Sequence, residues 1–246
     1  MVKSLIAVKE EISQTISTFQ KEGGETKMMK YLVAIAAMLL VSGTTFATTL
    51  YDFESGTQGW ANQTYTDSMA ITAAAQSGAQ AHSGSFSLAG TTNLIPGDAH
   101  NSKGELYVSR AQANKLNLAN TAETVSVFGP TGAAGTNGSS PNGWQMFFKD
   151  VNNKSWYGTW TNLVENSWQV LSANIATDTP AFTDAGFDPT QITTLGVKIG
   201  TGGASTGTYT GLVYVDDYTV VPEPASMLLL GSGLIGIFGF ARKKKA

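Results

Sequence analysis

The chain has 246 residues, with 18 Asp/Glu against 15 Lys/Arg and no cysteine. The missing cysteine excludes disulfide staples, thiolate metal sites and thiol catalysis. Only 13% of residues are charged, well below the usual ~25%. Within 48–221 six Lys/Arg face thirteen Asp/Glu, a net of −7, which is a poor balance for binding nucleic acid.

From the N-terminus, the first recognisable element is an export signal. Lys27 and Lys30 form a positive region. Tyr31 to Val41 is an apolar run too short to span a bilayer comfortably. Ser42 to Ala47 is mostly small residues, with Thr45 and Ala47 at the −3 and −1 positions. Residues 28–47 therefore read as a secretory signal peptide, cut by signal peptidase after Ala47. Residues 1–27 do not belong to that pattern. Lys21-Glu22-Gly23-Gly24-Glu25 is what a purine-rich ribosome-binding site encodes when translated in frame, so the expected start is Met28 or Met29. The mass of a secretion-blocked precursor tests this, and a mass containing Met1 to Lys27 rejects it.

Residues 48–220 are long enough for one domain with its own core. Short alternating segments predict strands near Leu50–Glu54, Ser85–Ala89, Glu105–Ser109, Thr124–Phe128, Trp144–Lys149, Ser155–Trp160, Trp168–Ala173, Thr194–Ile199 and Leu212–Val220. Turn residues separate them, among them His82-Ser83-Gly84, Pro96-Gly97-Asp98 and Asn152-Asn153. No amphipathic helix of useful length intervenes. The expected fold class is all-β, an antiparallel β-sandwich or jelly roll.

The tail 221–246 has three parts. Pro222-Glu223-Pro224 comes first, then an apolar run at 225–241, then Arg242 and three lysines at 242–245. In helical form ~17 residues span ~25 Å, just enough to cross a bilayer core. The basic cluster would stay cytoplasmic. The alternative is a buried C-terminal core helix.

The order Pro-Glu-Pro, short apolar helix, basic terminus resembles the PEP-CTERM sorting signal of exopolysaccharide-producing Gram-negative bacteria. The resemblance implies recognition by an exosortase near Pro222, Glu223 and Pro224, with the transmembrane helix as a temporary anchor in the inner membrane. The protein would then reach the cell surface or the extracellular matrix. Members of this group are typically small, divergent surface or matrix proteins, so the signal gives an address rather than an activity.

A second resemblance covers nearly all of 48–220. The ordered set is Tyr51-Asp52-Phe53-Glu54, Gly59-Trp60, Ala81 to Leu88, Gln145 to Asp150 with Trp156, Ser167 to Leu171, and Tyr209 to Tyr218. It resembles the β-jelly-roll carbohydrate-binding modules of galactose-binding-like fold. In that family a structural calcium often joins the first strand, the Ser-Gly turn and the last strand. The resemblance places its ligands at Glu54 and Asp216, with Asp52 and a carbonyl near Ser83, and Asp216 ahead of Asp217. Calcium takes six to eight oxygens, carbonyls included. The other reading is that these acids are solvated strand ends.

Polysaccharide would bind through aromatic faces, since a pyranose packs its C–H face on a ring. The candidates are Trp156, Trp160, Trp144 and Tyr157, with Tyr107 near them, and Gln145, Asn162 and Asp150 as polar partners. The competing reading is core packing, the role the family positions give Trp60 and Trp168. Catalysis is not expected. The only histidines are His82 and His100, and no Gly-x-Ser-x-Gly, His-Glu-x-x-His or phosphate-binding glycine loop occurs. Two functions follow: a non-catalytic matrix protein contacting exopolysaccharide, or a structural or adhesive one acting through protein contacts.

Overall fold

Thirteen β-strands form two antiparallel sheets among the residues that the computed structural model describes, 47–64, 70–96, 103–135, 141–202 and 206–222. They are β1 (Thr48–Tyr51), β2 (Trp60–Thr64), β3 (Ile71–Ser77), β4 (Ser87–Leu94), β5 (Lys103–Ser109), β6 (Thr121–Phe128), β7 (Gly143–Asp150), β8 (Ser155–Tyr157), β9 (Thr161–Asn162), β10 (Trp168–Ala173), β11 (Phe182–Thr183), β12 (Ile192–Gly200) and β13 (Tyr209–Pro222). The first sheet runs β10-β6-β13-β4-β3, with β1 also paired to β13. The second runs β11-β8-β7-β12-β5-β2, with β9 against β7. The result is an all-β antiparallel sandwich, consistent with a jelly roll. Its residues form one compact unit, Ala47–Glu223, and the buried apolar core lies wholly inside it, from Tyr51 to Tyr218.

Alternation along the strands builds that core. Trp144, Met146 and Phe148 of β7 face inward, as do Leu195, Val197 and Ile199 of β12. Val125 and Val127 of β6 meet them from the first sheet. Each fully buried Val, Leu, Ile or Phe stabilises the fold by ~1.5–3 kcal/mol. Parity changes once on β13. Its register against β6 shifts between Asp216 and Thr219, and Asp217 takes φ +46°. This bulge turns the inward set from Val213 and Val215 to Tyr218.

The first and last strands close on each other through rings. Tyr51, Phe53, Trp60 and Tyr218 pack at centroid distances of 5.5–6.3 Å. Phe53 has φ +55°, an uncommon conformation for a bulky residue. Its complete burial compensates, and so do two side-chain bonds to its backbone. Gln58 Oε1 accepts its N–H at 3.2 Å, and Gln76 Nε2 donates to its carbonyl at 2.6 Å.

All nine expected strands are present, eight of them with moved ends. The first stops at Tyr51 because the chain turns at Phe53. The segment expected at Ser155–Trp160 is a strand only to Tyr157. The two-residue strands β9 and β11 were not expected, and neither were β2 and β3. Their sequences, WANQT and ITAAAQS, are polar or alanine-rich and carry little β propensity; pairing with β5 and β4 makes them strands. The leader at 28–47, apart from Ala47, and the anchor at 225–241 lie outside the described residues, as does His100. Among the described residues no helix is long and apolar enough to cross a membrane.

Candidate functional site

The face of the second sheet turned away from the core carries a row of rings. Strand pairing aligns Phe182 with Tyr157, Tyr157 with Phe147, Phe147 with Gly196, Gly196 with Tyr107, and Tyr107 with Ala61. These residues alternate with the inward set, so they share the outer face. Gly196 interrupts the row for a steric reason: a Cβ there would sit 2.3 Å from the Leu106 carbonyl and 2.9 Å from the Phe147 ring. Phe147 and Tyr157 stack at 5.5 Å with 23° between planes. Phe182, at the edge, is 53% exposed.

A polar row runs beside the rings, aligning Gln145, Lys198, Glu105 and Gln63. The Tyr157 hydroxyl donates to Glu105 Oε1 at 3.0 Å, and Lys149 Nζ lies 3.6 Å from Glu105 Oε2. Lys198 Nζ donates to Gln145 Oε1 at 3.0 Å, and Gln145 Nε2 donates to the Gly158 carbonyl at 2.6 Å. Both ammonium groups also lie over rings, Lys198 5.0 Å from the Tyr157 centroid and Lys149 5.3 Å from that of Phe147. Burial holds Lys198 below the ordinary lysine range; Lys103 adds to this and Glu105 opposes it.

The expected ring platforms divide between the two faces. Tyr157 lies in the outer row and is half-buried. Trp160, also half-buried, covers Gly143 at the end of β7: a Cβ on Gly143 would lie 2.6 Å from Trp160 Nε1. Gly143 shares parity with Gln145 and Phe147, so Trp160 stands on the outer face as well. Trp144 and Trp156 do not. They are 0% and 3% exposed and belong to the core, which corrects the expectation of exposed platforms there. The reason is parity, since each stands one residue out of step with an outer-face residue, Gln145 or Tyr157. Trp60 is core as expected. Trp168 is not in the main core; with Phe128 and Tyr214 it forms a small cluster on the other face of the first sheet.

Of the polar candidates, Gln145 joins the site and Asn162 is exposed on β9. Asp150 is buried and holds a turn, accepting N–H bonds from Asn152, Lys154 and Asp188. Sequence reasoning missed Glu105, Phe147, Lys149, Phe182 and Lys198. One signal was available: Lys198 is a lone lysine between Val197 and Ile199 in an apolar strand.

The residues expected to hold calcium meet at the turn His82–Phe86. Glu54 Oε1 accepts the N–H of Ser85 at 2.8 Å and of Phe86 at 2.9 Å. Asp216 accepts N–H bonds from His82 at 2.8 Å, Ser83 at 3.2 Å and Asp217 at 2.8 Å. Asp217 takes the Ser83 hydroxyl and pairs with His82 Nδ1, both at 2.7 Å. Burial pushes Asp216 upward against these N–H bonds. Asp52 instead binds Gln58 Nε2 at 2.7 Å within its own loop. Two carboxylates and the turn carbonyls are donors of the kind calcium takes. Here those carboxylates face N–H donors, and among the described residues no three His, Asp or Glu gather at metal-binding spacing. The donor chemistry fits calcium in part; the arrangement is that of a hydrogen-bonded clamp.

Comparison with known proteins gives two kinds of likeness. The PEP-CTERM protein-sorting motif matches residues 220–244. No curated protein matches the sequence. Among solved structures the chain is similar to a xylan-binding domain from CBM 22, at 14% identity and TM-score 0.45, covering 74% of this chain and 96% of that one. It is similar to the CBM22-1 xylan-binding domain of Paenibacillus barcinonensis Xyn10C, at 13% identity and TM-score 0.42, covering 73% and 95%. It is also similar to the family 11 carbohydrate-binding module of the cellulase Lic26A-Cel5E of Clostridium thermocellum, at 10% identity and TM-score 0.49, covering 73% and 96%.

Proposed function

We propose that this is an exported, exosortase-sorted, non-catalytic protein of the envelope or extracellular matrix of a Gram-negative bacterium. It contacts exopolysaccharide through the outer face of its second sheet. The observation that carries this reading is the set of accessible rings Phe182, Tyr157 and Tyr107 on that face, with the half-buried Lys198 and Lys149 beside them. Rings give a sugar its stacking surface, and nearby donors and acceptors give it orientation. The sorting motif at 220–244 supports the address. Signal peptidase and exosortase are then its processing partners, and its stay in the inner membrane is transient.

The test is binding of the Ala47–Glu223 unit to a polysaccharide panel that includes the host's own exopolysaccharide. Micromolar binding that Tyr107→Ala and Tyr157→Ala each weaken at least tenfold supports the reading. No binding by a unit that still melts cooperatively overturns it. The burial of Trp144 and Trp156 favours a second reading, a structural or adhesive matrix protein working through protein contacts, and the same negative result would leave that one standing. For calcium we propose the His82–Phe86 turn, with Glu54 and Asp216 as carboxylate ligands. The support is that these two acids, from opposite ends of the unit, meet at one turn.

A further inference from the structure

We propose that the sugar taken by the outer face is an acidic one, a carboxylate-bearing pyranose of the uronate kind, with Lys198 as its principal counter-ion. This rests on the polysaccharide reading above and adds the chemical class of the ligand. The observation behind it is a local reversal of charge. Residues 48–221 hold only six cations against thirteen acids, yet three of the six share this face. Lys103, Lys149 and Lys198 stand on β5, β7 and β12, three neighbouring strands, each in phase with the outward set. Among the described strands of the face the one carboxylate is Glu105; Asp184 lies beyond the end of β11, bound to the Ser155 N–H at 2.8 Å.

Glu105 does not neutralise this group. It is 1% exposed and already engaged by the Tyr157 hydroxyl and by Lys149. Glu105 is thus engaged within the face, while the Lys198 ammonium donates to the neutral Gln145.

Lys198 is the best placed of the three. Its ammonium has three N–H donors and among the described residues makes one hydrogen bond, to Gln145. It lies over the Tyr157 ring, beside the surface on which a pyranose would stack. Burial and Lys103 both disfavour its charged form, and a carboxylate arriving next to it relieves both effects. A neutral sugar could use the same rings but would leave that charge uncompensated. At 0.15 M salt the Debye length is about 8 Å, so the acidic remainder of the domain is screened from a ligand seated on this face.

The experiment compares one polymer in two forms. Binding of the Ala47–Glu223 unit is measured at 0.15 M salt to polygalacturonate, to carboxyl-reduced polygalacturonate, to neutral xylan and mixed-linkage glucan, and to the host's own exopolysaccharide. We expect polygalacturonate to bind at least tenfold more tightly than its reduced form. Lys198→Gln should remove that preference, weakening binding to polygalacturonate at least tenfold more than binding to the reduced polymer, and Lys198→Arg should restore it. Equal binding of the two forms, or binding of the neutral polymers alone, overturns the acidic-sugar inference and leaves the polysaccharide reading standing. Absence of binding to every polymer, the host's included, overturns both. The wild-type comparison needs no variant, so a Lys198 variant that fails to fold does not affect it.

Discussion

The Tyr157 hydroxyl donates to Glu105 Oε1 at 3.0 Å, although β7 and β12 lie between the strands that carry them. Three strand spacings amount to about 14 Å, so both side chains must lie across the sheet rather than stand up from it. Tyr157 thereby roofs Phe147, on which it stacks, and Gly196 leaves the space for this. That is why Phe147 and Glu105 are 0% and 1% exposed on the face away from the core. Tyr157→Phe keeps the ring and removes the donor, leaving a buried carboxylate short of a hydrogen bond. The expected cost is ~1–3 kcal/mol, read as a lower denaturant midpoint with an unchanged slope. An unchanged midpoint would mean that the strap contributes nothing to stability.

Glu123 is a buried acid on the opposite sheet. It faces inward from β6, accepts a hydrogen bond from the Thr121 hydroxyl, and has no partner for Oε2. Burial is the main cause that pushes its pKa up to about 8 from 4.5, and Tyr218, fully buried, is pushed well up as well, by burial and then by Glu123. The folded-state value lies above the unfolded one. Between pH 4.5 and 8 the folded protein therefore holds a proton that the unfolded chain has lost. The contribution is full below pH 4.5, falls as pH rises through that window, and is gone above about 8. The limiting slope is ~1.4 kcal/mol per pH unit. Urea unfolding at half-unit pH steps should show the decline in wild type, and Glu123→Gln should flatten it. A wild-type profile already flat across the window would rule out a raised Glu123.

Much of the sandwich was legible from alternation, and β10 was read to the residue at Trp168–Ala173. The binding face was harder, because neighbouring residues of the same chemistry point opposite ways. In Ser155-Trp156-Tyr157 the tryptophan goes in and the tyrosine out. In Trp144 to Lys149 both parities carry aromatics, so the segment reads as buried on both sides. Only the β8-β7-β12-β5 order decides which ring joins the row, and that order is fixed by pairing between distant segments. The same holds for Glu105 and Tyr157, 52 residues apart. The meeting of Glu54, Ser83 and Asp216 was legible through family resemblance; the diversion of Asp52 to Gln58 was not, because it depends on the turn at Phe53.

Gly84 gives the means to test the clamp and, with it, calcium. Its φ is +61°, and a Cβ there would lie 2.3 Å from Glu54 Oε1. Gly84→Ala must therefore strain the backbone and expel the Glu54 carboxylate, removing the one oxygen that accepts the N–H groups of Ser85 and Phe86. Glu54→Gln keeps the shape and removes only the charge. If the turn is held by hydrogen bonds alone, Gly84→Ala should lower Tm by several degrees, and calcium or chelator should leave the wild-type Tm unmoved. If calcium binds there, it should raise the wild-type Tm with the concentration dependence of a ligand specific to the folded state, and Glu54→Gln and Asp216→Asn should each abolish the rise. A calcium-induced rise that persists in both variants would move the ion to another part of the protein. The measurement is a melting series of wild type and the three variants across calcium concentrations from chelator to 10 mM, roughly the range that spans the weaker extracellular sites.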